Sequence, residues 1–147
     1  PFRFLLRISM TSLSKSRPAA WWPPFLWMLL IFIGSSIPGG EADEATRQAS
    51  GVKDPIHIQR IKDAVHVTEF GVLMLLLVRS LRFRDHKNPI WIGLIATVLY
   101  GISDEAHQYF VPQRYPAMED IIRNTAGAVL GACVMYVREK RRSNNKD

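Results

Sequence analysis

Four apolar blocks separated by charged connections constrain this chain more than any other feature. They run from about Ala19 to Ile37, Ala64 to Leu81, Pro89 to Phe110 and Ile121 to Val137. A membrane-spanning helix needs roughly 20 predominantly apolar residues, and each block approaches that length. The mean hydropathy of +0.00 would suit a soluble protein, but the average hides the segregation. The pattern predicts an all-α fold: a polytopic membrane protein, a bundle of four transmembrane helices. At 147 residues the chain has room for one domain.

The first block opens with Trp21 and Trp22, which suit an interfacial aromatic belt. Pro23 and Pro24 fall in its first turns, where proline is tolerated. A cleavable signal peptide is the rival reading, with Lys15 and Arg17 as its basic leader. A Trp-rich block with two prolines makes a poor signal core, so a retained span is preferred. Residues 38–62 mix acidic and basic side chains and read as a loop, with a short surface helix over 41–50.

Orientation follows from the basic residues. Lys15 and Arg17 precede the first block; Arg79, Arg82, Arg84 and Lys87 close the second; Arg138, Lys140, Arg141 and Arg142 follow the fourth. The third connection carries only Arg114. With four spans, the basic-rich segments share one side, which places both ends in the cytoplasm of a multi-pass plasma-membrane protein. The expected division is a basic cytoplasmic tail over 1–18, a membrane domain over 19–137 and a second basic cytoplasmic tail over 138–147. Met10 opens a polar, basic stretch and is the expected start, which would put residues 1–9 upstream of it.

The net charge of +6 does not indicate nucleic acid, because the basic residues sit in short clusters beside apolar blocks. No basic stripe interleaved with stacking aromatics is present. The single cysteine, Cys133, cannot form an intrachain disulfide and reads as a small packing residue. No cofactor or metal is called for: His66, Glu69, Asp104 and Glu105 have metal-compatible chemistry, but no recognised zinc spacing supports a site.

The polar residues that interrupt the blocks are the informative ones. They are Asp63, His66 and Glu69; Ser103, Asp104, Glu105, His107 and Gln108; and Asp120, Arg123 and Asn124. The expected topology brings all three groups to the outer face at one depth. Asp63, His66 and Phe70 share a helical face. Tyr100, Asp104 and Gln108 form a stripe, with Glu105 about 100° away. Asp120, Arg123 and Asn124 continue into Gly127 and Gly131, a GxxxG that permits close helix approach. Ionisable residues in a span are costly, roughly 2.5–3.5 kcal/mol on insertion scales, so they should face the bundle interior or a wet cavity. Simpler roles compete: Asp63 and Asp120 as helix caps, and His66 and Arg123 paired with Glu69, Asp104 or Glu105 to tie helices together. His57, His86 and His107 read as surface or interface residues.

The stretch Asp63-Ala-Val-His66-Val-Thr-Glu69-Phe70 resembles the first motif of the VanZ-like family of bacterial membrane proteins. The resemblance continues through Tyr100-Gly-Ile-Ser-Asp104-Glu105-Ala-His-Gln108 to Pro112-Gln-Arg114, and closes with Asp120-Ile-Ile-Arg-Asn124-Thr-Ala-Gly127. It covers about residues 20–137. Gln113 stands where the family commonly has glycine, Ala64 where it often has lysine, and Glu119 where a less charged residue is usual. The family takes its name from a protein associated with resistance to the glycopeptide teicoplanin. The resemblance implies a bacterial plasma-membrane protein acting at the cell envelope, and does not by itself extend resistance to this chain.

The leading expectation is a site that binds or modifies an amphiphile: a membrane lipid or lipid-linked envelope precursor, with a glycopeptide antibiotic as a further candidate partner. Arg114 and Arg123 suit an anionic head group. His66, Glu69, Asp104 and Glu105 are the candidate acid–base residues. Asp63, Tyr100, Gln108, Asp120 and Asn124 join the two arginines as candidate binding residues. The alternative is a non-enzymatic scaffold held by the same polar network. A small transporter is less favoured, because no matching polar cluster lies on the cytoplasmic side. An open pocket with unpaired carboxylates would favour the ligand site over the scaffold.

Overall fold

A computed structural model describes residues 19–84 and 86–145. The expectations about the N-terminal tail and the start of the chain fall outside those residues. After a 3-10 turn at Ala19–Trp21 come five α-helices, with no strand among the described residues. They are α1 (Trp22–Ser35), α2 (Gly39–Ser50), α3 (Pro55–Arg82), α4 (Pro89–Gln108) and α5 (Met118–Asn144).

Local chemistry sets the boundaries. α1 carries its two prolines in the first turn, where their missing N–H groups cost nothing. α2 is the surface helix expected over 41–50, begun two residues earlier. It ends at Gly51, whose φ of 70° lets its N–H turn back to the Arg47 carbonyl. α3 starts well before the apolar block at Ala64, so residues 55–62 are helix rather than loop. Pro55 opens it, and the Asp54 carboxylate caps it by accepting from the His57 N–H at 3.2 Å. The His57 side chain also bonds this carboxylate and is the main cause holding the Asp54 carboxyl below its ordinary range.

The early start of α3 corrects one reading. Asp63 lies inside the helix and caps nothing. Asp120 is likewise inside the first turn of α5, where Ala117 holds the cap position; its charge there still complements the helix dipole. α5 runs on to Asn144, so Arg138, Lys140, Arg141 and Arg142 extend a helix.

α3 is the hub, touching α1, α2, α4 and α5. Phe70, Leu73, Met74, Leu77, Val78 and Leu81 form its buried stripe, spaced three and four apart. Against α5 the approach is closest at Gly127, where a Cβ would sit 2.2 Å from the Val67 carbonyl oxygen. A Cβ at Gly131 would lie 2.8 Å from the Gly71 carbonyl oxygen, so the GxxxG of α5 meets a glycine of α3.

Two aromatic hydrogen bonds fix α1. Trp27 Nε1 donates to the Glu69 carbonyl at 2.9 Å, and the Tyr100 hydroxyl donates to the Met28 carbonyl at 2.6 Å. Trp27→Phe keeps most of the apolar contact and loses the first bond. It should destabilise the protein by about 1 kcal/mol, measured by thermal unfolding in detergent; no change would mean that this bond does not help seat α1.

The two ends of the bundle differ. At one, Ser80 Oγ donates to the Ala20 carbonyl at 2.6 Å, Arg84 lies over Trp21, and Arg82 pairs with Glu139. At the other, the end of α4 meets the end of α1 on one side and the start of α5 on the other, and α2 packs on α3. α3 is long and apolar enough to cross a membrane, and α1 with α2 meets the same criterion only as a pair bent by 104°. The outward faces of α1, α4 and α5 are apolar, with Leu29, Leu30, Ile95, Leu99, Val129 and Leu130 exposed. Cys133 is exposed too and is not the packing residue expected, since its neighbour Ala132 takes the inward position.

Candidate functional site

The polar residues singled out in the sequence gather at the end covered by α2. Asp104 is only 3 % exposed, and its carboxylate accepts from Ser35 Oγ at 2.7 Å and from Gln108 Nε2 at 2.9 Å. One turn of α4 therefore supplies both the carboxylate and its amide partner, and α1 supplies the hydroxyl. Glu105 projects instead toward α5. It is equally buried and accepts from the Ala117 N–H at 3.3 Å and from Gln108 Nε2 at 3.4 Å. It thus satisfies a backbone donor at the mouth of α5, a task otherwise left to a capping side chain.

His66 pairs with Asn124, Nδ1 to Oδ1 at 3.0 Å, while the buried Asn124 Nδ2 has no partner among the described residues. Arg123 binds Asp63 at 3.1 Å and also Asp120. The expected pairing of His66 and Arg123 with Glu69, Asp104 or Glu105 therefore does not occur: the nearer partners Asn124, Asp63 and Asp120 take them. No Lys or Arg among the described residues lies within ion-pair distance of those three carboxylates. Glu69 is held only through its backbone carbonyl, with no side-chain hydrogen bond among the described residues.

These groups enclose space. An inner pocket of about 170 Å³ is lined by Ser35, His66, Glu69, Asp104, Gln108 and Arg114, with Ala42 and Thr46 of α2 above. An outer recess of about 610 Å³ is lined by Lys62, Tyr115, Glu119, Asp120 and Arg123. Lys62, His66, Gln108 and Arg114 line both, so the recess adjoins the pocket. Glu69 and Asp104 line only the inner pocket, while the recess carries Lys62, Arg114 and Arg123 together with Asp43, Glu119 and Asp120.

The cations differ in how far they are engaged. Lys62 pairs with Asp43 of α2 at 2.8 Å, and Arg123 has two carboxylates. Arg114 donates only to the carbonyls of Ile37 at 3.1 Å and Gly34 at 3.5 Å, and forms no ion pair among the described residues. Its charge is the least compensated of the three. Of the other candidates, Tyr100 is committed to the Met28 carbonyl, and Asp63 binds Gln59 as well as Arg123; neither lines the pocket. No group of three or more His, Cys, Asp or Glu residues among those described could hold a metal ion.

Ser35, Thr46 and Lys62 were not marked in the sequence as site residues. Ser35 fell inside the first apolar block, and Thr46 and Lys62 fell in a segment read largely as loop. The packing of α2 on α3 brings in Thr46, the early start of α3 brings in Lys62, and the bond to Asp104 brings in Ser35.

The VanZ/LLP1 family model matches residues 20–139. The chain belongs to the VanZ/LLP1 family. No curated protein matches it, and no solved structure does. Membership, with the long apolar α3, makes this a membrane protein.

The VanZ-like proline-x-arginine loop explains one departure noted above. Gln113 adopts φ 58°, a left-handed conformation that costs an ordinary residue roughly 1–2 kcal/mol. Its side chain answers with a contact glycine could not make: Oε1 accepts from the Gly40 N–H at 3.1 Å. The Gly39 N–H donates to the Pro112 carbonyl at 3.1 Å, so the loop and the start of α2 are tied together beside the pocket.

Proposed function

We propose that this VanZ-like protein crosses the bacterial plasma membrane four times, through α1, α3, α4 and α5, with both ends in the cytoplasm. Its polar pocket then opens at the outer face and binds the anionic head group of a membrane lipid or lipid-linked envelope precursor. The apolar outward faces of α1, α4 and α5 support the four spans, since such surface belongs against lipid. The concentration of arginine at the opposite end supports the orientation.

One observation carries the ligand reading. The pocket adjoins a recess, Arg114 lines both without a carboxylate partner among the described residues, and Glu69 lines the pocket with no ion pair among the described residues. Two opposite charges in one pocket with no direct ion pair between them suit a ligand that offers an anionic phosphate to Arg114 and a protonatable or hydrogen-bonding group to Glu69. In this reading His66 and Glu69 serve proton transfer to such a ligand. A contribution to glycopeptide (teicoplanin) resistance would run through this site, by altering an envelope precursor or by engaging the antibiotic.

The scaffold reading is favoured by a narrower observation: Asp104 and Glu105 already have protein donors. We assign those two residues a share in holding α1, α4 and α5 together, and the ligand contacts to Arg114, Glu69 and His66.

The test is thermal unfolding in detergent with farnesyl pyrophosphate, using farnesol as the uncharged control. Farnesyl pyrophosphate should raise the melting temperature by several degrees and farnesol should not. Arg114→Gln should lose most of that shift, and Arg114→Lys should keep part of it. An equal shift in wild type and Arg114→Gln, or none in wild type, would sink the proposal.

A further inference from the structure

The opposite end of the molecule carries a second cavity, of about 580 Å³, between the C-terminal ends of α3 and α5. Its lining divides in two. Leu75, Leu76, Phe83 and Met135 are apolar, and Arg79, Arg82, Arg138 and Arg142 supply four guanidinium groups with no carboxylate among the lining residues. The volume lies within the range of small-molecule sites, about 300–1,000 Å³.

Of the four arginines only Arg82 forms an ion pair among the described residues. Arg82 pairs with Glu139, yet its Nε is buried and donates to nothing among the described residues. Arg79, Arg138 and Arg142 are exposed and form no ion pair among the described residues. Like charges are thus held at one rim, a repulsive arrangement unless an anion joins them. Below that rim Leu75 and Leu76 lead along α3 toward the part of the molecule whose outer surface is apolar.

We infer that this cavity holds one anionic phospholipid of the surrounding bilayer, its phosphate between Arg79, Arg82 and Arg138 and the start of an acyl chain against Leu75, Leu76 and Met135. Guanidinium forks match phosphate oxygens bidentately, and basic pockets between helices at the cytoplasmic side of a membrane favour such head groups. A soluble polyphosphate would satisfy the arginines equally but would leave the apolar wall bare, which is why the lipid is preferred. The inference goes beyond the proposed function and shares with it only the membrane reading, since it uses different residues at the other end of the bundle.

The experiment compares melting temperatures in detergent with added dioleoyl phosphatidylglycerol, dioleoyl phosphatidylcholine or sodium pyrophosphate. Phosphatidylglycerol should give a rise of several degrees that neither other additive reproduces. Arg79→Gln/Arg138→Gln should lose most of the rise. Arg47→Gln/Arg60→Gln, which removes the same charge from exposed positions elsewhere, should keep it. A rise retained in the first double variant, or lost equally in the second, overturns the site; an equal rise with pyrophosphate overturns the lipid as its occupant. Native mass spectrometry of the wild type needs no variant: phosphatidylglycerol should stay bound at energies that strip phosphatidylcholine, and equal stripping overturns the inference.

Discussion

Replacing Gly127 by valine is expected to remove nearly all folded protein from the membrane fraction. A Cβ at this position would sit 2.2 Å from the carbonyl oxygen of Val67, 3.0 Å from its carbon and 3.1 Å from the Gly71 nitrogen. All three are backbone atoms of α3, so no side chain can swing aside, and the helices must part. Overpacking typically costs 1–3 kcal/mol and more when backbone moves, a large share of a total stability of about 5–15 kcal/mol. The pair being forced apart, α3 and α5, is the most extensive contact in the bundle. Gly34→Ala is the control, because a Cβ there meets nothing within 4 Å; it should accumulate as wild type does. Accumulation and melting of Gly127→Val at wild-type values would mean that the glycine seam does not hold the fold.

Asp104→Ala and Glu69→Gln should move stability in different directions, although both remove a carboxylate from the same pocket. Alanine at 104 removes the nearer acceptor of two buried donors, leaving the Ser35 hydroxyl the Phe32 carbonyl at 3.1 Å and Gln108 Nε2 the Glu105 carboxylate at 3.4 Å. With two hydrogen bonds to a carboxylate lost and partly replaced, the loss is roughly 1–3 kcal/mol. Asp104→Asn keeps one acceptor and should fall between. Glu69→Gln breaks no side-chain bond among the described residues and relieves a charge facing Asp104 across the pocket. Its melting temperature in detergent should equal or exceed that of the wild type. A fall as large as that of Asp104→Ala would make Glu69 a structural tie and remove the uncompensated charge on which the ligand reading depends.

The sequence made the polar convergence legible because helical spacing is arithmetic: Asp104 and Gln108 had to share a face, and Glu105 had to leave it. The GxxxG was legible for the same reason, but its partner Gly71 was not, since an isolated glycine in an apolar run gives no register between helices. The start of α3 was misjudged because hydropathy marks where a helix is apolar, whereas Pro55 and Asp54 mark where it begins. Pair identities were the least legible. Arg123 could have reached several carboxylates, and only the rotation of α5 against α3 selects Asp63. The roof formed by α2 depends on a sharp reversal at Pro38-Gly39-Gly40 and on the loop at Pro112-Gln113, two segments more than seventy positions apart whose meeting no local pattern announces.

The concentration of polar groups at the ends of α4 and α5 bears on how the chain is assembled. Among the described helices only α3 is apolar and long enough to meet the criterion for a span by itself. A helix that carries ionisable groups enters a bilayer at a cost, and that cost falls when a partner can shield them. α3 offers the shield: it presents glycine to α5 and His66 to Asn124, the residues that α5 needs met. On the proposed four-span topology, α3 would settle first during synthesis, and the two later helices would be released into lipid together, as a hairpin docking on a template already in place. His66, which lines the pocket, is thereby also a residue on which the later helices dock.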